Sequence, residues 1–245
     1  MSQVKRFEMN AAGRDFAVGD IHGHFTKLQV ALDAAGFDPA VDRLFSVGDM
    51  VDRGPESLDV DEWVLRKPWF HAVRGNHEQM TVDSHAAGRA SDQCGMHFIN
   101  GGQWFYGLSS VEQGCYASIL QDLPLVIEVE TDRGLIGIVH ADVPRGSWAE
   151  MIGALDGPAA EAEHIAAILQ WSRKRITDEN RGGVAGVRAV IVGHTPLRQP
   201  AILGNVYHID TGGWMDRHFT LLNLQTLECI PPINPKLHWD WEATA

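Results

Sequence analysis

Three short apolar runs, each ended at once by a glycine-bearing polar motif, constrain the fold of this chain more than any other feature. Phe16-Ala17-Val18 leads into Gly19-Asp20-Ile21-His22-Gly23 and Leu44-Phe45-Ser46-Val47 into Gly48-Asp49-Met50-Val51-Asp52-Arg53-Gly54; Phe70-His71-Ala72-Val73 leads into Arg74-Gly75-Asn76-His77-Glu78. Runs this short and hydrophobic suit buried strands of a mostly parallel sheet. Phe25, Leu28, Leu32 and Ala35 follow at helical spacing until Gly36 stops them, and Pro55 is placed to open the next helix at its first turn. The resulting β-α-β-α-β run gathers its loops at the carboxyl ends of the strands, so three motifs far apart in sequence converge on one edge.

The pattern recurs downstream. Leu125–Val129 and Leu135–Val139 flank the turn residues Asp132-Arg133-Gly134, a hairpin whose second arm delivers His140-Ala141-Asp142. Val187 to Val192 delivers Gly193-His194-Thr195-Pro196. Asn205 to Ile209 and Phe219 to Asn223 are expected to be strands of a second sheet packed face to face on the first. The loop-rich stretch from Thr81 to Gly114, within about 81–120, is expected to form a helical insertion near the site rather than a domain boundary. All 245 residues then make a single α/β domain with a short tail over 231–245 that carries Trp239 and Trp241.

Charge excludes some partners. With 32 acidic and 20 basic residues the net charge is −12, which lacks the basic footprint of a nucleic-acid binder. Cys94, Cys115 and Cys229 are widely spaced and odd in number, which argues against a disulfide framework and for a reducing cytoplasm. No stretch approaches a membrane span, and residues 1–10 hold charges without an apolar run.

Taken together the motifs supply Asp20, His22, Asp49, Asn76, His140 and His194, oxygen and imidazole donors without a thiolate. That set suits two borderline divalent ions sharing one bridging carboxylate. An isolated Asp-x-His is more often a surface turn; the partner motifs are what make Asp20 and His22 ligands.

The order and content of these motifs resemble the phosphoprotein phosphatase family of the calcineurin-like metallophosphoesterases, and within it the small phage-lambda and bacterial serine/threonine phosphatase branch. Pro68 to Met80 carries the resemblance nearly throughout, joined by Asn100-Gly101-Gly102-Gln103-Trp104-Phe105, Trp171 to Ile176 and Ile209-Asp210-Thr211-Gly212. The likeness runs from about Asp15 to Cys229. It implies an α/β calcineurin-like metallophosphoesterase fold, two mixed sheets packed as a central sandwich flanked by helices. It also implies a phosphoprotein or phosphopeptide substrate, hydrolysed by in-line attack of a hydroxide held between two metal ions.

The resemblance assigns Asp20, His22 and Asp49 to one ion and Asp49, Asn76, His140 and His194 to the other. The expected metal is Mn2+, with iron or zinc as alternatives. Arg53 and Arg173 correspond to phosphate-clamping arginines, with Asn76 beside the substrate. His77 corresponds to the general acid and Asp52 to its partner. Arg74 reads equally well as a brace for its own loop. Ile165, Ile168 and Leu169 make Glu161 to Arg175 an amphipathic helix, whose basic end at Arg173 is otherwise an ordinary solvated terminus. His24, His71, His85, His97, His164, His208, His218 and His238 read as core or surface residues, and Trp104 and Phe105 as packing, with the lining of the substrate cleft as their alternative.

A bis(5'-nucleosyl)-tetraphosphatase is the competing enzyme reading. Gly54-Pro55-Glu56-Ser57-Leu58-Asp59-Val60 resembles those nucleotide enzymes, whereas Asp52 and the Arg74 to Glu78 motif favour the protein phosphatases. A binding scaffold that kept the fold without catalysis is disfavoured because every ligand and the His77 acid are present.

Overall fold

The computed structural model describes residues 3–88, 91–144 and 146–240. In chain order its strands are β1 (Val4–Phe7), β2 (Asp15–Val18), β3 (Arg43–Ser46), β4 (Phe70–Ala72), β5 (Val126–Thr131), β6 (Gly134–Ile138), β7 (Ala189–Val192), β8 (Ala201–Leu203), β9 (Val206–His208), β10 (Leu221–Asn223) and β11 (Cys229–Ile230). The helices are α1 (Phe25–Ala34), α2 (Val60–Arg66), α3 (Asn76–Ala87), α4 (Asp92–Ile99), α5 (Gln103–Tyr106), α6 (Ser110–Gln121), α7 (Trp148–Leu155), α8 (Ala159–Trp171) and α9 (Lys174–Thr177).

Two mixed sheets form the centre, one ordered β1-β5-β6-β7-β9-β8 and the other β11-β10-β2-β3-β4. Strand alternation explains the layering. In β2, Ala17 faces the sheet-to-sheet core with Phe45, Ile127, Ile138 and Ile191, while Phe16 and Val18 face Phe25, Leu28 and Trp63 on the helical side. The other sheet buries Val126, Val190 and Val206 against Trp148, Met151 and Leu169 of α7 and α8. Helices α3, α4, α5 and α6 lie beside the site.

The two sheets are assembled differently from the expectation. Asn205–Ile209 and Phe219–Asn223 do not share a sheet: β9 pairs parallel with β7, and β10 runs antiparallel to β2. The cause is burial on opposite sides, since Val206 belongs to the α7–α8 core and Leu221 to the α1–α2 core. The edge strand β1 came from the segment with no apolar run; only Val4 is buried, and β5 supplies its pairing. Pro55 does not open a helix. It precedes a 3-10 turn at Ser57–Asp59, because Glu56 N–H bonds Gly23 O at 3.0 Å and holds this stretch to the first motif.

Candidate metal centre

Strand ends from both sheets aim at one place. Asp20 and His22 follow β2, Asp49, Asp52 and Arg53 follow β3, and Asn76 and His77 open α3 after β4; from the other sheet, His140 follows β6, His194 follows β7 and Asp210 follows β9. Their backbones are bent hard to do this. Of seven non-glycine residues with positive φ among the described residues, five belong to this site: His22, Asp49, Asp52, Arg53 and His194. Each such residue costs of order 1–3 kcal/mol, so neighbours must hold it. Glu78 is one such neighbour: its buried carboxylate accepts the N–H groups of Asp49 (2.8 Å), Met50 (2.7 Å) and Gly75 (2.8 Å). Gly193 fits because a side chain there would collide with Asp20 and Val47.

Asp49 is the hub. Its Oδ2 lies 3.8 Å from His22 Nε2, 3.9 Å from His77 Nε2 and 3.3 Å from His140 Nε2. His140 Nε2 also meets Asn76 Oδ1 at 2.8 Å and His194 Nδ1 at 3.1 Å. Two buried groups have ligand atoms within 4.8 Å of one another, one of His22, Asp49 and His77 and one of Asp49, His140 and His194. Asp20 stands outside both groups; its oxygens accept the His194 N–H at 3.0 and 3.1 Å. The donor chemistry fits cations. His22 and His140 present Nε2 to the site while Nδ1 donates to the carbonyls of Val51 (2.9 Å) and Val47 (2.8 Å), the orientation that frees a ligating lone pair.

Electrostatics point the same way. Burial, then the charges of Asp210 and Asp49, push the Asp20 carboxyl well above its usual range, and burial pushes Asp210 up to about 6. Burial also raises Asp49, but His140, by its charge and its hydrogen bond, and His77 outweigh it and hold Asp49 well below. Burial followed by Arg53 keeps His22 neutral, and burial followed by His140 does the same for His194. Against its burial, Asp49 in turn raises His140, so without a metal a protonated imidazole stands beside that carboxylate, the place a bound cation would take.

The basic groups stand beside this centre. Arg53 places its two terminal nitrogens 3.0 Å from His22 Nε2 and 3.1 Å from His77 Nε2, and Arg173 reaches His194 O at 3.3 Å. Arg173 lies beyond α8, which ends at Trp171, and caps α9 instead of closing one long helix. The break is made by Asp142, which takes Ser172 Oγ (3.3 Å), Arg175 N (3.0 Å) and Arg175 Nε (3.1 Å). Arg74 braces its loop by donating to Gln121 O at 3.0 Å. His77 Nδ1 bonds Asp52 Oδ2 at 2.7 Å.

Sequence reasoning gave no role at the site to Glu78, Asp210 or Trp214, and it read His97 as a core or surface residue and Trp104 as packing or cleft lining. Asp210 had a signal, the same strand-then-acid pattern that marks Asp20 and Asp49. Nothing in the sequence distinguished His97 or Trp214. The three cysteines are free, with Cys94 and Cys229 buried and Cys115 exposed. Trp239 packs on Ile176, Leu197 and Leu203, and Trp241 lies outside the described residues.

Residues 16–198 match the sequence profile described as calcineurin-like phosphoesterase. The chain is 39% identical over 216 residues to serine/threonine-protein phosphatase 1 of Salmonella typhimurium, covering 86% of this chain and 91% of that protein. A 64-residue stretch is 45% identical to the symmetrical bis(5'-nucleosyl)-tetraphosphatase of Pseudomonas fluorescens, covering 26% of this chain and 23% of that one. A solved serine/threonine phosphatase from Saccharomyces cerevisiae superimposes with a TM-score of 0.56 at 16% identity, over 90% of this chain and 76% of the other, a likeness of fold.

Proposed function

The chain belongs to the calcineurin-like phosphoesterases, and from that membership we propose that it is a metal-dependent serine/threonine protein phosphatase acting on phosphoprotein monoesters. The observation that carries the reading is the His77–Asp52 pair at 2.7 Å, buried beside the donor cluster and within reach of Arg53. A seryl or threonyl alkoxide is a poor leaving group, and an oriented imidazole is the acid it needs. The likeness to a protein phosphatase along most of the chain, against a quarter of it for the tetraphosphatase, favours a phosphoprotein over a dinucleotide.

In this reading Asp20, His22 and Asp49 hold one divalent ion and Asp49, Asn76, His140 and His194 a second, with Mn2+ preferred. Such a pair supplies Lewis acidity toward the phosphoryl group and lowers the pKa of water. Arg53 and Arg173 bind the non-bridging oxygens, which their planar donors match in pairs, and Asn76 lies beside them. Asp52 accepts the Nδ1 proton of His77 and so turns Nε2 toward the leaving oxygen. Burial raises the Asp52 carboxyl, but the bonds from His77 and His97 outweigh it and hold it below the ordinary range, so it stays an anion.

We also assign the protein to the cytoplasm, a reading supported by three free cysteines. No helix among the described residues is long and apolar enough to cross a membrane.

The test is a matrix of metals against phosphoserine and phosphothreonine peptides and diadenosine tetraphosphate. Chelation should abolish turnover and Mn2+ restore it; Mn2+ should also raise the melting temperature, an effect lost in Asp49→Asn. The peptides should show the higher kcat/KM. A preference of about tenfold for the dinucleotide, roughly 1.4 kcal/mol, would overturn the assignment.

A further inference from the structure

The Asp52 carboxylate is bound at both oxygens, and only one partner belongs to the acid pair. Oδ2 takes His77 Nδ1, while Oδ1 takes Trp104 Nε1 at 2.7 Å and His97 Nε2 at 3.0 Å. The indole can only donate, so Oδ1 is fixed as its acceptor. His97 is fully buried and held at both ring nitrogens. Its Nε2 also meets Thr81 Oγ1 at 3.2 Å, whose own proton goes to His77 O at 3.1 Å, and its Nδ1 meets Tyr106 Oη at 3.2 Å. The Asp52 carboxylate can only accept, which puts a His97 proton on Nε2.

The same helical arm grips the adjoining backbone. Gly101 O accepts the Arg53 N–H at 3.1 Å, and Gly102 lies flat against the His97 ring, leaving no room for a side chain. Asp52 and Arg53 sit at φ 70° and 67°, a conformation that needs outside support.

We propose that His97 and Trp104 are positioning residues for the reaction: they fix the Asp52 carboxylate, and through it they aim the His77 imidazole. This rests on the reading of His77 as the leaving-group acid. Their effect should therefore follow the need for that acid.

The experiment uses the full chain loaded with Mn2+ and the variants His97→Phe, His97→Gln and Trp104→Phe, the last retaining an aromatic ring without its donor. For His97→Phe and Trp104→Phe, kcat on a phosphoserine peptide should fall about 10-fold to 100-fold with little change in KM, below the full loss of an acid. On p-nitrophenyl phosphate, whose phenolate leaves unaided, the loss should stay below about threefold. His97→Gln, which keeps a donor, should recover part of the loss. In an Asp52→Asn background, His97→Phe should add almost nothing, the non-additivity of residues acting through one group. In proton NMR of the folded protein loaded with diamagnetic Zn2+ in place of Mn2+, the low-field Nδ1 resonance of His77 should shift or broaden in both aromatic variants. Equal losses on the two substrates, additive losses with Asp52→Asn, or an unmoved His77 resonance would overturn the proposal. If the unmodified chain fails to hydrolyse the phosphopeptide, the phosphatase reading falls while the His77 resonance still decides the network.

Discussion

Arg53 lies flat over Trp214, its guanidinium carbon 4.5 Å from the indole centroid, while the same indole meets the His22 ring edge-on at 4.8 Å. The stack pins a side chain with exposed surface that would otherwise sample many rotamers. Trp214→Ala should therefore weaken phosphate binding. A partly exposed cation–π contact is worth about 1 kcal/mol, so KM for a phosphopeptide should rise roughly fivefold with kcat changing less. Inhibition by inorganic phosphate should weaken in parallel, and Trp214→Phe should retain most of the affinity. A fall in kcat at constant KM would instead place Trp214 with the chemistry.

Asp142 governs the other arginine from a distance. It binds Arg175 through both backbone and side chain in a buried pair, and that pair sets the kink from which Arg173 projects. Asp142→Asn leaves a buried guanidinium without its anion. The expected cost is about 3–5 kcal/mol of stability, read from denaturant midpoints at unchanged slope. Surviving folded enzyme should show a raised KM, as Arg173→Ala should, and a double variant should lose little more.

The convergence of the motifs was legible in the sequence, and the partition of the strands between the sheets was not. Strands β2, β3, β4 and β7 were legible because each is a compact apolar run broken by a motif, and their topology forces the motifs together. Strand β1 was not legible: Val4 to Phe7 alternates with Lys5 and Arg6, and only pairing with β5 makes it a strand. The partition of β9 and β10 between sheets depends on which helical layer each packs against, information that no local pattern holds. The left-handed residues show the same limit. His22, Asp49, Asp52, Arg53 and His194 carry no glycine-like signature, and their φ values are imposed by the surrounding hydrogen bonds, those to Glu78 and Gly101 among them.

Glu78 offers a direct measure of that imposed geometry. A carboxylate accepts every N–H that points at it, whereas a glutamine must turn one amide group toward a donor. Glu78→Gln should cost about 1–3 kcal/mol through the unsatisfied groups. Because those N–H groups belong to Asp49 and Met50, Mn2+ affinity should fall as well, measured by titration of the folded variant. A variant that loses stability but binds Mn2+ normally would show that the loop holds its shape without Glu78.

Part of the loss of stability in acid should trace to His71. Its ring lies between Phe7 and Phe45, at 4.4 and 5.3 Å between centroids, and burial, followed by the charges of Lys5 and Arg43, lowers it to about 3. The unfolded chain titrates this group near 6.5, so below that pH it binds a proton that the folded chain refuses. The contribution is therefore complete above about pH 6.5 and is lost as pH falls from there toward 3, with a limiting slope of about 1.4 kcal/mol per pH unit. His208, buried in β9 and also lowered to about 3, adds a loss of the same sign. Urea midpoints measured from pH 8 to pH 4 should decline in the native chain and decline less steeply in His71→Gln, which cannot take up a proton. Parallel curves for the two proteins would mean that His71 ionises alike in the folded and unfolded chain.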